Sequence, residues 1–292
     1  MASIKEYNRK IGSLKNTVKI TKTMKMVSAS KLRRAQEAQN RAKDYAHEVN
    51  NLIYRIAGSV EQGMHPLLTP RQEAKSVLLL VFSSDKGLCG GFNNNLIKFV
   101  GTKSAELTAE GKDVSLAFCG RRGHLYFANR GKVWKNYAGV TAAPHSRDAS
   151  EIAAELEEAF SSGEFDEIHM VYNHFVSPLS QEPQIDQLIP LPLGTLEDHD
   201  AASDAVRADD FITEPGLAEL LDNLIPRLVV FKVFFSLLEN SAGEHGARMT
   251  AMDNATTNAG NLIDEYTLLR NRARQAAITT ELIEIISGAE AL

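Results

Sequence analysis

The sequence predicts an α/β protein with a mainly parallel sheet in its middle and one very long helix at each end. Three observations lead there. Apolar and small residues recur three and four apart over residues 3–57 and again over 216–287, the spacing of a coiled-coil seam. Between them, short apolar runs alternate with helical segments, the pattern of parallel strands with covering helices. A polar, acidic stretch at 197–209 separates the last strand from the second long helix.

At about 1.5 Å per residue, the two helices would reach roughly 80 and 110 Å, several times the width of a small domain. Helices that long cannot bury themselves in their own domain. The chain therefore reads as a rod held inside something else, divided into an N-terminal long helix (1–57), a linker (58–75), a central α/β domain (76–215) and a C-terminal long helix (216–292).

The N-terminal helix carries a seam through Ile4, Tyr7, Ile11, Leu14 and Val18. It resumes at Leu32, Ala35, Gln39, Ala42, Ala46, Val49, Ile53 and Ile56. Between the two runs the frame lands on Thr21, Lys25 and Ser28, while Ile20, Met24, Met26 and Val27 point off it. Two readings stay open: a local stutter in the coil, or a stretch that passes through an apolar collar made by a partner. Residues 1–43 also hold twelve bases and two acids, a charge of +10 on a chain of net −5, which leaves −15 elsewhere. A basic helix on an acidic body suggests an electronegative partner: nucleic acid, a membrane surface or acidic protein loops. The plainer alternative is a solvated charged face.

The middle begins with Ser76-Val-Leu-Leu-Leu-Val-Phe-Ser83, a continuous apolar run typical of a buried parallel strand. A glycine-rich turn, Ser84-Asp-Lys-Gly-Leu-Cys-Gly-Gly-Phe-Asn93, leads into a helix to about residue 109. Strands near 114–118, 133–137 and 166–176 then alternate with helices near 121–130 and 148–162. A last strand at 184–193 is a candidate for antiparallel pairing. The glycine-rich turn invites a phosphate-binding reading, but Gly90-Gly91 is followed by Phe92 where a phosphate loop needs Lys-Ser/Thr. The spacing of Gly87, Gly90 and Gly91 does not make a dinucleotide fingerprint either.

No other constellation points to catalysis. His169 and His174 sit five apart on or beside one strand, so they face opposite sides and form no ligand pair. Cys119 has no paired thiol or evident histidine base and reads as a buried structural cysteine. No cofactor or metal is expected.

The C-terminal helix follows Thr213-Glu-Pro-Gly216. Its frame runs through Leu217, Leu221, Leu224, Leu228, Phe231, Phe235, Leu238 and Ala242, with Pro226 expected to kink the first turns. It continues through Met249, Met252, Ala259, Ile263, Tyr266, Ala273 and Ala277. Small residues from Ala251 to Ala259 allow two helices to approach closely. Arg270, Arg272 and Arg274 cluster near the tip, either as a solvated face or as partners for carboxylates.

The chain as a whole bounds the remaining classes. Its 292 residues are 43% hydrophobic and 24% charged, as in folded soluble proteins. No apolar run reaches the roughly 18 residues of a membrane span; the richest, Leu228–Leu238, is broken by Lys232. The start Met-Ala-Ser-Ile-Lys carries no signal-peptide core, which argues against secretion. Two cysteines, Cys89 and Cys119, fit a reducing compartment.

Four segments, in order, resemble one family: the stretch from Lys19 to Ala35, the stretch from Ser84 to Asn93, Ala247-Arg-Met-Thr-Ala-Met252, and Ala273-Arg-Gln-Ala-Ala-Ile-Thr-Thr-Glu-Leu282. The chain resembles, over its whole length, the gamma subunits of rotary F-type ATP synthases of bacterial type. The resemblance implies that the terminal helices form an antiparallel coiled coil inside a ring of alpha and beta subunits. The central domain would be Rossmann-like. It would rest with the epsilon subunit on the c-subunit ring, peripheral to the cytoplasmic face of the bacterial inner membrane. It implies a rotor shaft without a catalytic site or cofactor of its own, coupling proton-driven rotation to ATP synthesis or hydrolysis on the beta subunits. By position, Lys22, Met24, Lys25 and Arg248 would touch the alpha/beta ring, as would Arg274, Gln275 and Thr279 at the tip. Phe211 and Glu214 lie where the family approaches the c ring, although Asp-Phe-Ile-Thr-Glu-Pro departs from the aromatic-rich bacterial form. The chloroplast insertion with its cysteine pair is missing, so redox control is not implied.

The alternative is a nucleic-acid-binding coiled coil using residues 5–43, with steep salt dependence. Those bases lack interleaved stacking aromatics, and the chain is acidic overall. A small-molecule enzyme built on the α/β domain is a third class, disfavoured by the missing site.

Overall fold

The computed structural model describes residues 3–57, 65–71, 73–192 and 217–290. Two compact units result: Met1–Ala29 with Arg248–Leu292, and Ser30–Ala247. The long helices α1 (Ile4–Ala57) and α5 (Leu217–Glu290) contribute to both.

The second unit is built on strands β1 (Ser76–Phe82), β2 (Asp113–Cys119), β3 (Lys132–Tyr137), β4 (Glu167–Phe175) and β5 (Gln181–Ile189). Their order is β3-β2-β1-β4-β5. The first four pair in parallel and β5 pairs antiparallel with β4. This is the predicted mainly parallel, Rossmann-like sheet, with the last strand reversed. Three shorter helices cover it: α2 (Phe92–Ala109), α3 (Arg121–Phe127) and α4 (Ser146–Ser161).

The apolar run of β1 shows why the sheet is two-sided. Val77 to Phe82 are all fully buried, and alternate side chains go to opposite faces. Leu78, Leu80 and Phe82 join a core with Ile152 and Leu156 of α4 and Leu221, Ile225, Val229 and Val233 of α5. Val77, Leu79 and Val81 join another with Leu96 and Val100 of α2 and Phe127 of α3. Each large aliphatic buried this way contributes roughly 1.5–3 kcal/mol before entropy is counted. Pro226 lies inside α5, which remains helical on both sides of it.

One carboxylate ties the entry of β1 to that of β4. Asp166 Oδ2 accepts from the Lys75 and Ser76 N–H groups at 2.9 and 2.8 Å and from the Ser76 hydroxyl at 2.9 Å. Its Oδ1 accepts from Arg71 Nη1 at 2.9 Å. Burial alone would raise this carboxyl, but the Ser76, Lys75 and Arg71 donors outweigh it and hold the pKa at about 2.

In the other unit, α1 and α5 pair in antiparallel register. Tyr7 meets Tyr266 with ring centroids 6.2 Å apart. Thr21 and Thr256 bring their hydroxyl oxygens to 2.6 Å, and Lys25 Nζ lies 2.6 Å from Asp253 Oδ1. Rising numbers on α1 meet falling numbers on α5. Ile11, Thr21 and Ser28 are buried, as are Met252 and Ala259. The seam therefore keeps its phase through residues 18–28, with no stutter: polar Thr21 and Ser28 are buried, Lys25 is half-exposed, and Ile20, Met26 and Val27 are exposed.

Candidate partner-contact surface

The polar stretch of the seam explains how two helices can pair while displaying apolar side chains outward. Thr21 and Thr256 each face a carbonyl of their own helix, Thr17 O at 3.1 Å and Met252 O at 2.7 Å, as well as each other. Each hydroxyl has one proton, so one of those backbone bonds yields to the cross-helix bond. Lys25 and Asp253 close the next turn, but both are about half exposed, so that ion pair adds at most about 1 kcal/mol. Lys22 is exposed beside them, and Met24 is half-buried where the sequence suggested an outward position. Arg248 is 7% exposed, so its side chain already packs within the chain.

At the other end, Arg270 Nη1 reaches Asn8 Oδ1 at 3.5 Å, which turns it toward α1. Arg272, Arg274, Gln275 and Thr279 are exposed. Thr279 donates to Gln275 O at 2.9 Å, so its hydroxyl oxygen is left to accept. Because Asn8 lies opposite Arg270 and α1 starts at Ile4, Gln275 and later residues of α5 run on without α1 beside them. There Ile278, Leu282, Ile283, Ile285 and Ile286 are all exposed. Adjacent helix positions project about 100° apart, so Arg274 and Gln275 can engage different atoms of one partner loop. Phe211 and Glu214 lie outside the described residues, as does the acidic stretch at 197–209.

Sequence reasoning missed Asp253, Asn8 and the threonine pair. The heptad frame names seam positions on each helix, but only a cross-helix register says which residues meet.

A doubly wound sheet offers a ligand crevice outside the carboxyl ends of the strands at its switch point, here β1 and β4. Residues 236–247 of α5 fill it. Asn240 Nδ2 donates to Ser83 O at 3.4 Å, and the Phe175 N–H donates to Glu239 Oε1 at 3.2 Å. A methyl on Gly246 would sit 3.0 Å from the Phe175 ring and 3.2 Å from Pro178 Cα, so the helix lies tight on the sheet edge. Burial pushes the Glu239 carboxyl above the usual carboxylate range, against the pull of the Phe175 N–H and of His174.

The glycine-rich loop is likewise turned on itself. Asn93 accepts from the Ser84 N–H at 3.0 Å and donates to the Ser84 hydroxyl at 2.7 Å. Asp85 accepts from the Arg121 and Gly139 N–H groups and from Thr141, tying three loops together. Gly120, at φ +104, lies so close to Ser83 that a Cβ would fall 2.2 Å from its carbonyl oxygen. Cys119 is buried, and desolvation with the nearby Asp85 charge pushes its thiol up, away from thiolate reactivity. His169 and His174 pair separately, with Glu167 and Glu239. Among the described residues, no group of three or more His, Cys, Asp or Glu side chains could hold a metal ion. No helix among them is long and apolar enough to cross a membrane.

Comparison with known proteins agrees with this architecture. The family model described as ATP synthase matches residues 3–292. The ATP synthase gamma chain of Trichlorobacter lovleyi is 43% identical over 292 residues, covering 100% of this chain and 99% of the relative. That of Erythrobacter litoralis is 45% identical over 296 residues and covers 100% of both. Among solved structures, a chain of the Euglena gracilis mitochondrial ATP synthase OSCP/F1/c-ring assembly matches with a TM-score of 0.65 at 20% identity, over 99% of this chain and 94% of that one. A chain of the Tetrahymena thermophila mitochondrial central stalk/c-ring matches with a TM-score of 0.59 at 22% identity, over 81% of this chain and 99% of that one. The structural likenesses speak to fold, and the sequence identities, running end to end, place the chain in the ATP synthase gamma-chain family.

Proposed function

We propose that this chain is the central rotor shaft of an F-type ATP synthase, coupling c-ring rotation to conformational change in the catalytic beta subunits. The observation that carries the reading is the outward exposure of apolar side chains on the long helices: Ile20, Met26 and Val27 among the bases of α1, and Ile278, Leu282, Ile283, Ile285 and Ile286 at the tip of α5. A solitary coiled coil buries its apolar groups; one that turns inside a sleeve exposes them. Alpha and beta subunits form that sleeve, contacted by Lys22, Met24, Lys25, Arg274, Gln275 and Thr279, with Arg248 bracing the facing helix. The central α/β domain is the foot of the shaft, in contact with the epsilon subunit and the c ring, with Phe211 and Glu214 on the c-ring side. The complex holds the chain at the cytoplasmic face of the bacterial inner membrane, and no reaction is catalysed by the chain itself.

Reconstitution tests this. Alpha and beta subunits mixed with the chain should assemble with it and gain multisite ATP hydrolysis, while the chain alone turns over no ATP. Failure to co-purify with alpha and beta subunits, or hydrolysis by the chain alone, would overturn the proposal.

A further inference from the structure

We infer that the joint between α5 and the β4–β5 hairpin is a proton-sensitive latch, tight while Glu239 and His174 share a proton and looser once that proton leaves.

The joint forms where α5 crosses the ends of β1 and β4. Over residues 236–243 of the helix, Glu239 is the one ionisable side chain. Its neighbours hold on through neutral groups. Ser236 Oγ donates to Met170 Sδ at 3.6 Å, and Asn240 Nδ2 donates to Ser83 O at 3.4 Å. Glu239 is buried, and its Oε1 accepts from the Phe175 N–H at 3.2 Å. His174 Nδ1 lies against the same oxygen. A methyl on Gly243 would come within 3.0 Å of the Phe92 ring, so the helix has no slack here. A change of charge at Glu239 therefore acts directly on the contact between helix and strand.

The hairpin adds further charge. Its register sets His174 opposite Glu182, Tyr172 opposite Gln184 and Met170 opposite Asp186, and alternate residues of a strand share a face. Tyr172 donates to Asp186 Oδ2 at 2.6 Å. Lys232, two turns earlier on α5, feels the Asp186 charge. Three carboxylates, Glu182, Asp186 and Glu239, thus share this face with one amine and one histidine. The His174 side chain is 43% exposed, so a proton can pass between the joint and solvent.

With one proton between Glu239 and His174, either the carboxyl donates to Nδ1 or the imidazolium donates to the carboxylate. The Phe175 N–H keeps its acceptor in both forms. When the proton leaves, a buried carboxylate remains near Asp186 without a compensating charge. The two groups titrate as a pair. Burial, and then Asp186, push the Glu239 carboxyl up, against the Phe175 N–H and His174. A raised carboxyl contributes its stability at low pH and loses it as pH rises through the folded value. This inference does not depend on the shaft reading.

Hydrogen exchange of the full chain tests it, read as protection relative to the intrinsic rate at each pH. Protection over residues 173–182 should fall at least about threefold between pH 5 and pH 8, while residues 77–82 of β1 keep theirs. Glu239→Gln should remove the pH dependence. Asp186→Asn, at an exposed residue, should shrink it. A flat wild-type profile would overturn the proposal. So would a fall shared equally by β1, which would mean global loosening, or one that survives Glu239→Gln, which would place the proton elsewhere. If circular dichroism shows that Glu239→Gln does not fold, Asp186→Asn decides alone, and an unchanged fall in that variant sinks the latch.

Discussion

Replacing Asp166 with Asn keeps the side chain's size and removes its charge, and the structure sets the size of the effect. The carboxylate gathers four donors: two backbone N–H groups, one hydroxyl and Arg71. They lower its pKa from 3.8 to about 2, which is worth about 2 kcal/mol to the folded state at neutral pH. The amide also turns one end into a donor that faces donors, so the full loss is about 2–3 kcal/mol. The sign with pH follows. A lowered carboxyl pKa contributes all its stability above the unfolded value and loses it as pH falls through the folded value. Wild type should therefore exceed Asp166→Asn by about 2–3 kcal/mol at pH 7, with about 2 kcal/mol of that gap lost between about pH 4 and pH 2. Urea unfolding at low protein concentration measures it, reported by Trp134, the only tryptophan. Its indole donates to Glu164 and its ring packs edge-on against Phe165, beside the site. Equal stability at pH 7, or a gap that stays constant down to pH 2, would refute the reasoning.

Three further outcomes are expected. Gly120→Ala should destabilise the central domain by more than about 2 kcal/mol, since it combines φ +104 with a carbonyl 2.2 Å from the new Cβ; an unchanged unfolding midpoint would contradict this. Thr21→Val and Thr256→Val should show a coupling of about 1 kcal/mol in a double-mutant cycle, and additive effects in urea unfolding would mean that the 2.6 Å contact contributes nothing. In assembled complexes, Arg274→Leu should slow ATP synthesis and multisite hydrolysis by up to about 100-fold, the loss of one shielded charge-assisted bond. Arg272→Ala should be better tolerated, and equal defects would mean that the wrong face of α5 has been assigned.

The parts that were legible in the sequence are those written locally. Val77 to Phe82 read as a buried strand because every position is apolar, and the helix ends fell within a few residues of the observed ones. Strand order was not legible, because pairings such as Leu80 with both Ala117 and Met170 join residues far apart in the chain. The off-seam apolar stretch was visible, but choosing between a stutter and a continuous seam required Thr256, which lies 235 residues from Thr21. Met24 read as outward because heptad phase assigns a face and not a degree of burial; in the structure it is half-buried.

The most direct test is to ask whether the chain must move. Cys89 and Cys119 are buried, so a thiol introduced as Gln275→Cys is the one that reacts. It can carry a photo-cross-linker attached through a disulfide. Illumination of the assembled complex should join the tip of α5 to a beta subunit. The account predicts that multisite ATP hydrolysis then falls by about tenfold or more, a barrier of at least about 1.4 kcal/mol, and returns when reduction cuts the tether. Full turnover with the tether complete would contradict it, because a shaft bolted to its ring cannot rotate.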